Sequence, residues 1–209
     1  LLGCLIAILV SQCILPLRAR NEWRWLLAQS LRGMSRVWQS HLSPNIHKPV
    51  QTRSRLKQLQ RAVQRQKGLL NSVRLESRVL RTRGRELEQL VEVQERCLLL
   101  LELVAQSRWE NSASAQAILQ QYAISLQARS LGERLQAFAD FCAGERPHLP
   151  EPVSNLGIQL KQQMLDSLAE QRSQSLNAYG YSWLIYQTSL QIATLEKLIQ
   201  GLALTTAIK

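Results

Sequence analysis

Polar and apolar residues fall into blocks along this chain, and the blocks change character from one end to the other. Residues 1–17, LLGCLIAILVSQCILPL, carry no charge, and only Gly3, Ser11, Gln12 and Pro16 interrupt the aliphatics. As a helix rising about 1.5 Å per residue the run is roughly 25 Å long, a little short of a hydrocarbon core of about 30 Å. It reads as the end of a transmembrane helix whose beginning lies upstream. A signal peptide would open on a basic segment and close on small residues, whereas this run starts abruptly at Leu1 and ends in Pro16 and arginines. The chain is therefore expected to be an internal or C-terminal piece of a longer membrane protein. A buried helix of a soluble domain is the alternative for an apolar run of this length.

The periodicity changes after residue 17. Trp23, Leu26, Leu27, Leu31, Met34, Val37 and Trp38 recur at three and four, which predicts an amphipathic helix over Asn21–His41 within a basic juxtamembrane segment, residues 18–43. Two environments suit its apolar face: the lipid headgroup layer or the core of the chain's own bundle. Pro16, Arg18, Arg20, Trp23, Arg24 and Trp25 form the candidate membrane-interface set, because indole rings sit among acyl carbonyls while guanidinium groups meet phosphate.

SPNIHKP, residues 43–49, breaks the pattern with two prolines and an asparagine. Stepping by three and four from Leu56 then gives a seam that ends at Leu101 and is apolar at ten of its fourteen positions; the exceptions are Gln66, Ser77, Gly84 and Gln94. This predicts an antiparallel bundle helix or a coiled coil, with a bend or break near Gly84. A further helix is expected from about Ser112 to Phe141 and closed by Gly144, so residues 50–143 form a long helical hairpin region. Residues 143–152, AGERPHLPEP, mark the next break. A C-terminal helical pair over 150–209 follows, beginning near Ile158 and ending with a helix over about Ser175–Leu204 whose Tyr179, Tyr181, Trp183 and Tyr186 suggest helix–helix packing. The fold class is all-α: the end of a membrane helix followed by a cytosolic bundle of long helices.

Composition agrees, since 9 Gly, 6 Pro and 5% aromatic residues in 209 leave little material for a turn-rich β fold. Charge adds an orientation. The formal net charge is +11, but residues 18–90 hold 17 Lys and Arg against 4 Asp and Glu, and residues 91–209 hold 9 against 11. A neutral apolar run followed at once by a basic segment is the positive-inside arrangement of a helix leaving the bilayer on its cytoplasmic face. The expected partner is thus a bilayer with anionic headgroups. A basic helical nucleic-acid-binding protein would also explain the charge, but no aromatic residue stands between Trp38 and Trp109 to stack on bases, and no zinc or basic-zipper pattern is present, which makes nucleic acid the less favoured partner. A coiled-coil adaptor pairing through residues 50–105 is a third reading.

Catalytic chemistry is sparse. Cys4, Cys13, Cys97 and Cys142 are scattered without a C-x-x-C, and His41, His47 and His148 lack ligand partners at suitable spacing, so neither a metal nor a cofactor is expected. There is no G-x-S-x-G, no phosphate-binding glycine loop and no H-E-x-x-H; Glu86, Glu88, Glu92 and Glu95 stand at spacings of ordinary helix-surface ion pairs. The expectation is a protein that is not an enzyme.

Gly3-Cys4-Leu5-Ile6-Ala7, the aliphatics up to Pro16, and the Arg and Trp residues beyond it together resemble the end of the transmembrane domain in the fusaric acid resistance (FUSC) family. In that family a final span ends in a proline near the cytoplasmic surface and leads into a helical cytosolic domain. Here Arg18 and Arg20 precede Trp23, where such proteins commonly place a tryptophan sooner after the proline. The resemblance implies a bacterial inner-membrane transporter, oligomeric or paired with partner subunits, exporting aromatic or other organic acids. It also implies that Gly3 lets helices approach closely and that Pro16 ends the span.

Overall fold

The computed structural model describes residues 2–42, 49–76, 78–106, 124–150 and 176–204. Of residues 2–18 it describes the backbone path alone, so the side chains of Pro16 and Arg18 lie outside the described set, as do the expected helix starts at Ser112 and Ile158. Six helices make up the described chain: α1 (Leu2–Leu42), α2 (Pro49–Glu76), α3 (Arg78–Thr82), α4 (Gly84–Gln106), α5 (Ile124–Ala143) and α6 (Leu176–Leu204). No strand occurs among the described residues, so the all-α class holds. Among the described residues no helix is long and apolar enough to cross a membrane.

α1 runs unbroken for 41 residues, through Pro16 and across the boundary expected at residues 17 and 18. The proline removes one ladder hydrogen bond without ending the helix. Three and four residues further on, the backbone N–H groups of Ala19 and Arg20 donate to the Glu76 carboxylate of α2.

α1 and α2 are antiparallel neighbours: Arg65 of α2 pairs with Glu22 near the start of the basic segment, and Leu59 lies over Gly33 further along. α2 and α4 form a second antiparallel pair, held by Lys67 Nζ to Glu95 Oε1 at 3.1 Å and Arg74 Nη2 to Glu88 Oε1 at 2.6 Å. The seam explains this hairpin. Every one of its described positions from Leu56 to Leu101 is buried, including Gln66, Gly84 and Gln94, so one stripe on a nominally continuous helix folds back on itself. The reversal lies between Glu76 and Gly84, and Arg74 laces it by donating to the Gly84 carbonyl at 2.7 Å.

α5 lies antiparallel to α1, with Ser35 Oγ donating to the Gly132 carbonyl at 2.6 Å and Arg32 binding Asp140 near the other end of α5. α5 stops at Gly144, where φ is +81°. The Gly144 and Glu145 N–H groups donate to the Phe141 and Asp140 carbonyls at 3.0 and 2.9 Å, a Schellman cap that a glycine accepts without steric cost. α6 packs on α4 and is tied to α5 by Arg134, whose guanidinium grips Glu196 with both Nε and Nη2 at 3.0 and 2.6 Å. One hydrophobic core containing Leu27, Leu31, Met34, Leu87, Leu98 and Phe138 joins all the long helices.

Candidate functional site

The proximal end of the bundle is where α1 leaves its apolar run. Trp23 faces inward and is 2% exposed, so the bundle-core alternative describes the apolar face of Asn21–His41, with Leu27, Leu31, Met34, Val37 and Trp38 buried alongside it. Its indole N–H meets no acceptor among the described residues. Trp25, two residues on and therefore on another side of the helix, is 58% exposed.

The candidate arginines here are drawn into local contacts. Arg20 contributes its backbone N–H, 3.1 Å from each oxygen of Glu76. Burial pushes the Glu76 carboxyl above the usual glutamate value, against the opposing pull of the two backbone donors and of the Arg20 charge. Arg24 donates through Nε to the Cys142 carbonyl at 3.3 Å, and burial, followed by the neighbouring Arg20 charge, lowers its affinity for a proton. The α2–α3 corner beside Glu76 exposes two aliphatic side chains, Leu75 and Val79. It also carries the exposed Arg81, which has no carboxylate partner among the described residues.

Further from this end, α1 and α2 enclose a groove of about 340 Å³. Close approach of the helices makes its floor: a Cβ on Gly33 would come within 2.1 Å of Leu59 Cδ2, so a larger residue there would have to displace the Leu59 side chain. Trp25 stands at one end, Arg36 and Arg55 at the other, with Gln29, Arg32 and Gln58 along the walls. The three guanidinium groups are not equivalent. Arg32 is bound to Asp140 at 2.9 Å and to Glu145, and hydrogen bonds to Glu145 and then Asp140 hold its pKa above the ordinary arginine value. Arg36 and Arg55 are exposed and have no carboxylate partner among the described residues. No group of three or more His, Cys, Asp or Glu side chains is placed to hold a metal among the described residues. Cys97 and Cys142 are free thiols inside the core, and His148 sits exposed in the loop after α5.

Sequence reasoning found the apolar seam and the basic segment but not Glu76, Gly33 or the pairing of Arg36 with Arg55 in one groove. Each depends on which residues α2 places opposite α1, a register that no local pattern encodes.

The chain is similar to the inner membrane protein YeeA of Escherichia coli (strain K12), being 28% identical over 212 aligned residues that take in 95% of this chain and 56% of that protein. It thus spans a little over half the length of the relative. No family model matches the chain, and no solved structure matches it. The similarity to an inner membrane protein is compatible with a membrane-associated role.

Proposed function

We propose that this chain is the last part of a membrane helix together with the cytosolic helical bundle of a FUSC-like bacterial inner-membrane transporter, one that exports aromatic or other organic acids. The observation that carries the reading is the continuity of α1, which joins the uncharged run of residues 2–17 to the bundle core in one helix. Glu76 of α2 binds the α1 backbone three residues beyond the run, so the bundle is fastened close to the exit point and not hung on a linker. With the apolar run in the bilayer, the α2–α3 corner lies about 5 Å below it, and Leu75 and Val79 meet the headgroup layer beside Arg81. The excess of cations in residues 18–90 supports a cytoplasmic location for this side, by the positive-inside rule. In this reading the bundle performs no catalysis and needs no cofactor; substrate-binding residues belong to the membrane domain.

Two measurements test it. The intact protein should resist extraction by salt and alkali and enter solution only with detergent; recovery without detergent would count against a spanning helix. A strain lacking the gene should grow less well than its parent in medium acidified with aromatic acids. Equal growth, with no difference in retained acid, would remove the transport assignment.

A further inference from the structure

We infer that the α1–α2 groove is a binding site for a soluble nucleoside phosphate. Its far end presents two guanidinium groups from different helices, Arg36 and Arg55, with no carboxylate partner among the described residues, while Arg32 between them and Trp25 has its charge matched by Asp140 and Glu145. Two uncommitted arginines lining one cavity fit a phosphate group, whose oxygens take the paired N–H donors of arginine. The near end presents the exposed Trp25 ring, a platform for a planar base. Gln29 and Gln58 offer amide donors and acceptors between these ends, suited to a sugar and the edge of a base. Along α1, Arg32 stands about 10 Å from Trp25 and Arg36 about 16 Å, spacings suited to a base at one end and the phosphates of an extended nucleotide at the other. The volume of about 340 Å³ is that of a small-ligand site.

A phosphate could also come from a lipid headgroup, and position decides between the sources. Arg36 is 19 residues beyond Leu17, about 28 Å along the helix and still roughly 22 Å below the bilayer if α1 tilts by about 40°. That is more than two screening lengths of about 8 Å at physiological salt. The choice of a soluble ligand rests on the membrane reading; the groove and its charges do not.

Binding is measured on the full-length protein in nanodiscs, with incorporation itself reporting separately on the membrane reading. ATP is titrated against inorganic tripolyphosphate, in zwitterionic and in anionic discs. ATP is expected to bind saturably in both disc types and more tightly than tripolyphosphate. The double variant R36Q/R55Q should lose about tenfold or more in affinity for both anions. Trp25→Ala should weaken ATP and leave tripolyphosphate unchanged, whereas K57Q/R61Q, exposed cations outside the groove, should change neither. Circular dichroism checks that each variant folds. Equal affinity for ATP and tripolyphosphate, retention of binding in R36Q/R55Q, an equal loss in K57Q/R61Q, displacement of ATP by anionic lipid, or displacement by benzoate at lower concentration than by ADP would each overturn the assignment.

Discussion

Gly33 and Leu59 occupy the same space to within one methyl group: a Cβ on residue 33 would fall 2.1 Å from Leu59 Cδ2, with Cγ and Cδ1 at 3.0 and 3.1 Å. Alanine ordinarily favours a helix over glycine by about 1 kcal/mol. Here the added carbon must push a side chain that is 6% exposed, and overpacking costs about 1–3 kcal/mol. Gly33→Ala is therefore expected to lose roughly 1–2 kcal/mol net and to widen the groove floor. Denaturant melts of G33A, L59A and the double variant check this: the double variant should be more stable than the sum of the two single losses.

Gln66 is completely buried on the seam of α2, and both polar atoms of its amide lack a hydrogen-bond partner among the described residues. An unpaired buried amide costs about 1–3 kcal/mol relative to an apolar group of the same shape. Gln66→Met, nearly equal in volume, should raise the midpoint of thermal unfolding by several degrees. A lower midpoint would mean that the amide has a partner in solution.

Arg134 and Glu196 join α5 to α6 through a two-pronged ion pair with side-chain exposures of 16% and 9%. Glu196→Ala removes both hydrogen bonds of this pair from a largely dry site and is expected to cost about 2–4 kcal/mol. Arg134→Lys should recover little of the native stability, since an ammonium cannot span both oxygens. Replacing both partners together, as R134M/E196L, should lose less than E196A alone. A double-variant cycle by chemical denaturation measures all of these.

The Cys97 and Cys142 thiols are both pushed up to about 12 by burial. In a variant lacking Cys4 and Cys13, the folded protein should not react with an alkylating reagent at pH 8, and reaction should begin with unfolding. The unfolded chain ionises its thiols from about pH 8.5 and the folded chain does not. Stability should consequently be fully present below that pH and fall as the pH rises towards 12, by up to about 1.4 kcal/mol per pH unit for each thiol. C97A/C142A should flatten that decline.

Glu76 has the opposite electrostatic character from a surface carboxylate, because burial raises its pKa while the N–H groups of Ala19 and Arg20 hold it in place. Its contribution is therefore largest when protonated and diminishes as the pH climbs through its folded value. Glu76→Gln keeps an acceptor oxygen and sheds the charge, so it should be tolerated at neutral pH. Glu76→Leu leaves the two donors without their acceptor and should cost about 1–2 kcal/mol. The gap in stability between the native protein and E76Q should shift in favour of E76Q with rising pH.

Much of this architecture is legible in the residue pattern. The three-and-four seam names the buried positions of α2 and six of the ten in α4, missing Leu90, Val93, Cys97 and Val104, and Gly144 marks the end of α5, because seam and cap are local consequences of helix geometry. The environment of the Asn21–His41 face was ambiguous from sequence for a physical reason: a stripe of tryptophan and leucine suits lipid and protein core equally, and only the presence of α2 and α5 against it decides. The contact between α1 and Glu76 is illegible for another reason. The Arg20 N–H finds its acceptor 56 residues away at Glu76, a contact no window of sequence contains. The candidate groove was illegible because its two facing arginines lie 19 residues apart and meet only through a hairpin.

The unbroken α1 gives the molecule a mechanical property. With α2 clamped to it at Glu76 and α5 at Arg32, any rocking of the apolar end is carried into the bundle as a rigid sweep. A 10° tilt about Leu17 would displace Leu42, 25 residues away, by roughly 6 Å. The helix is a lever whose fulcrum lies next to a proline, and the α1–α2 groove rides on its long arm.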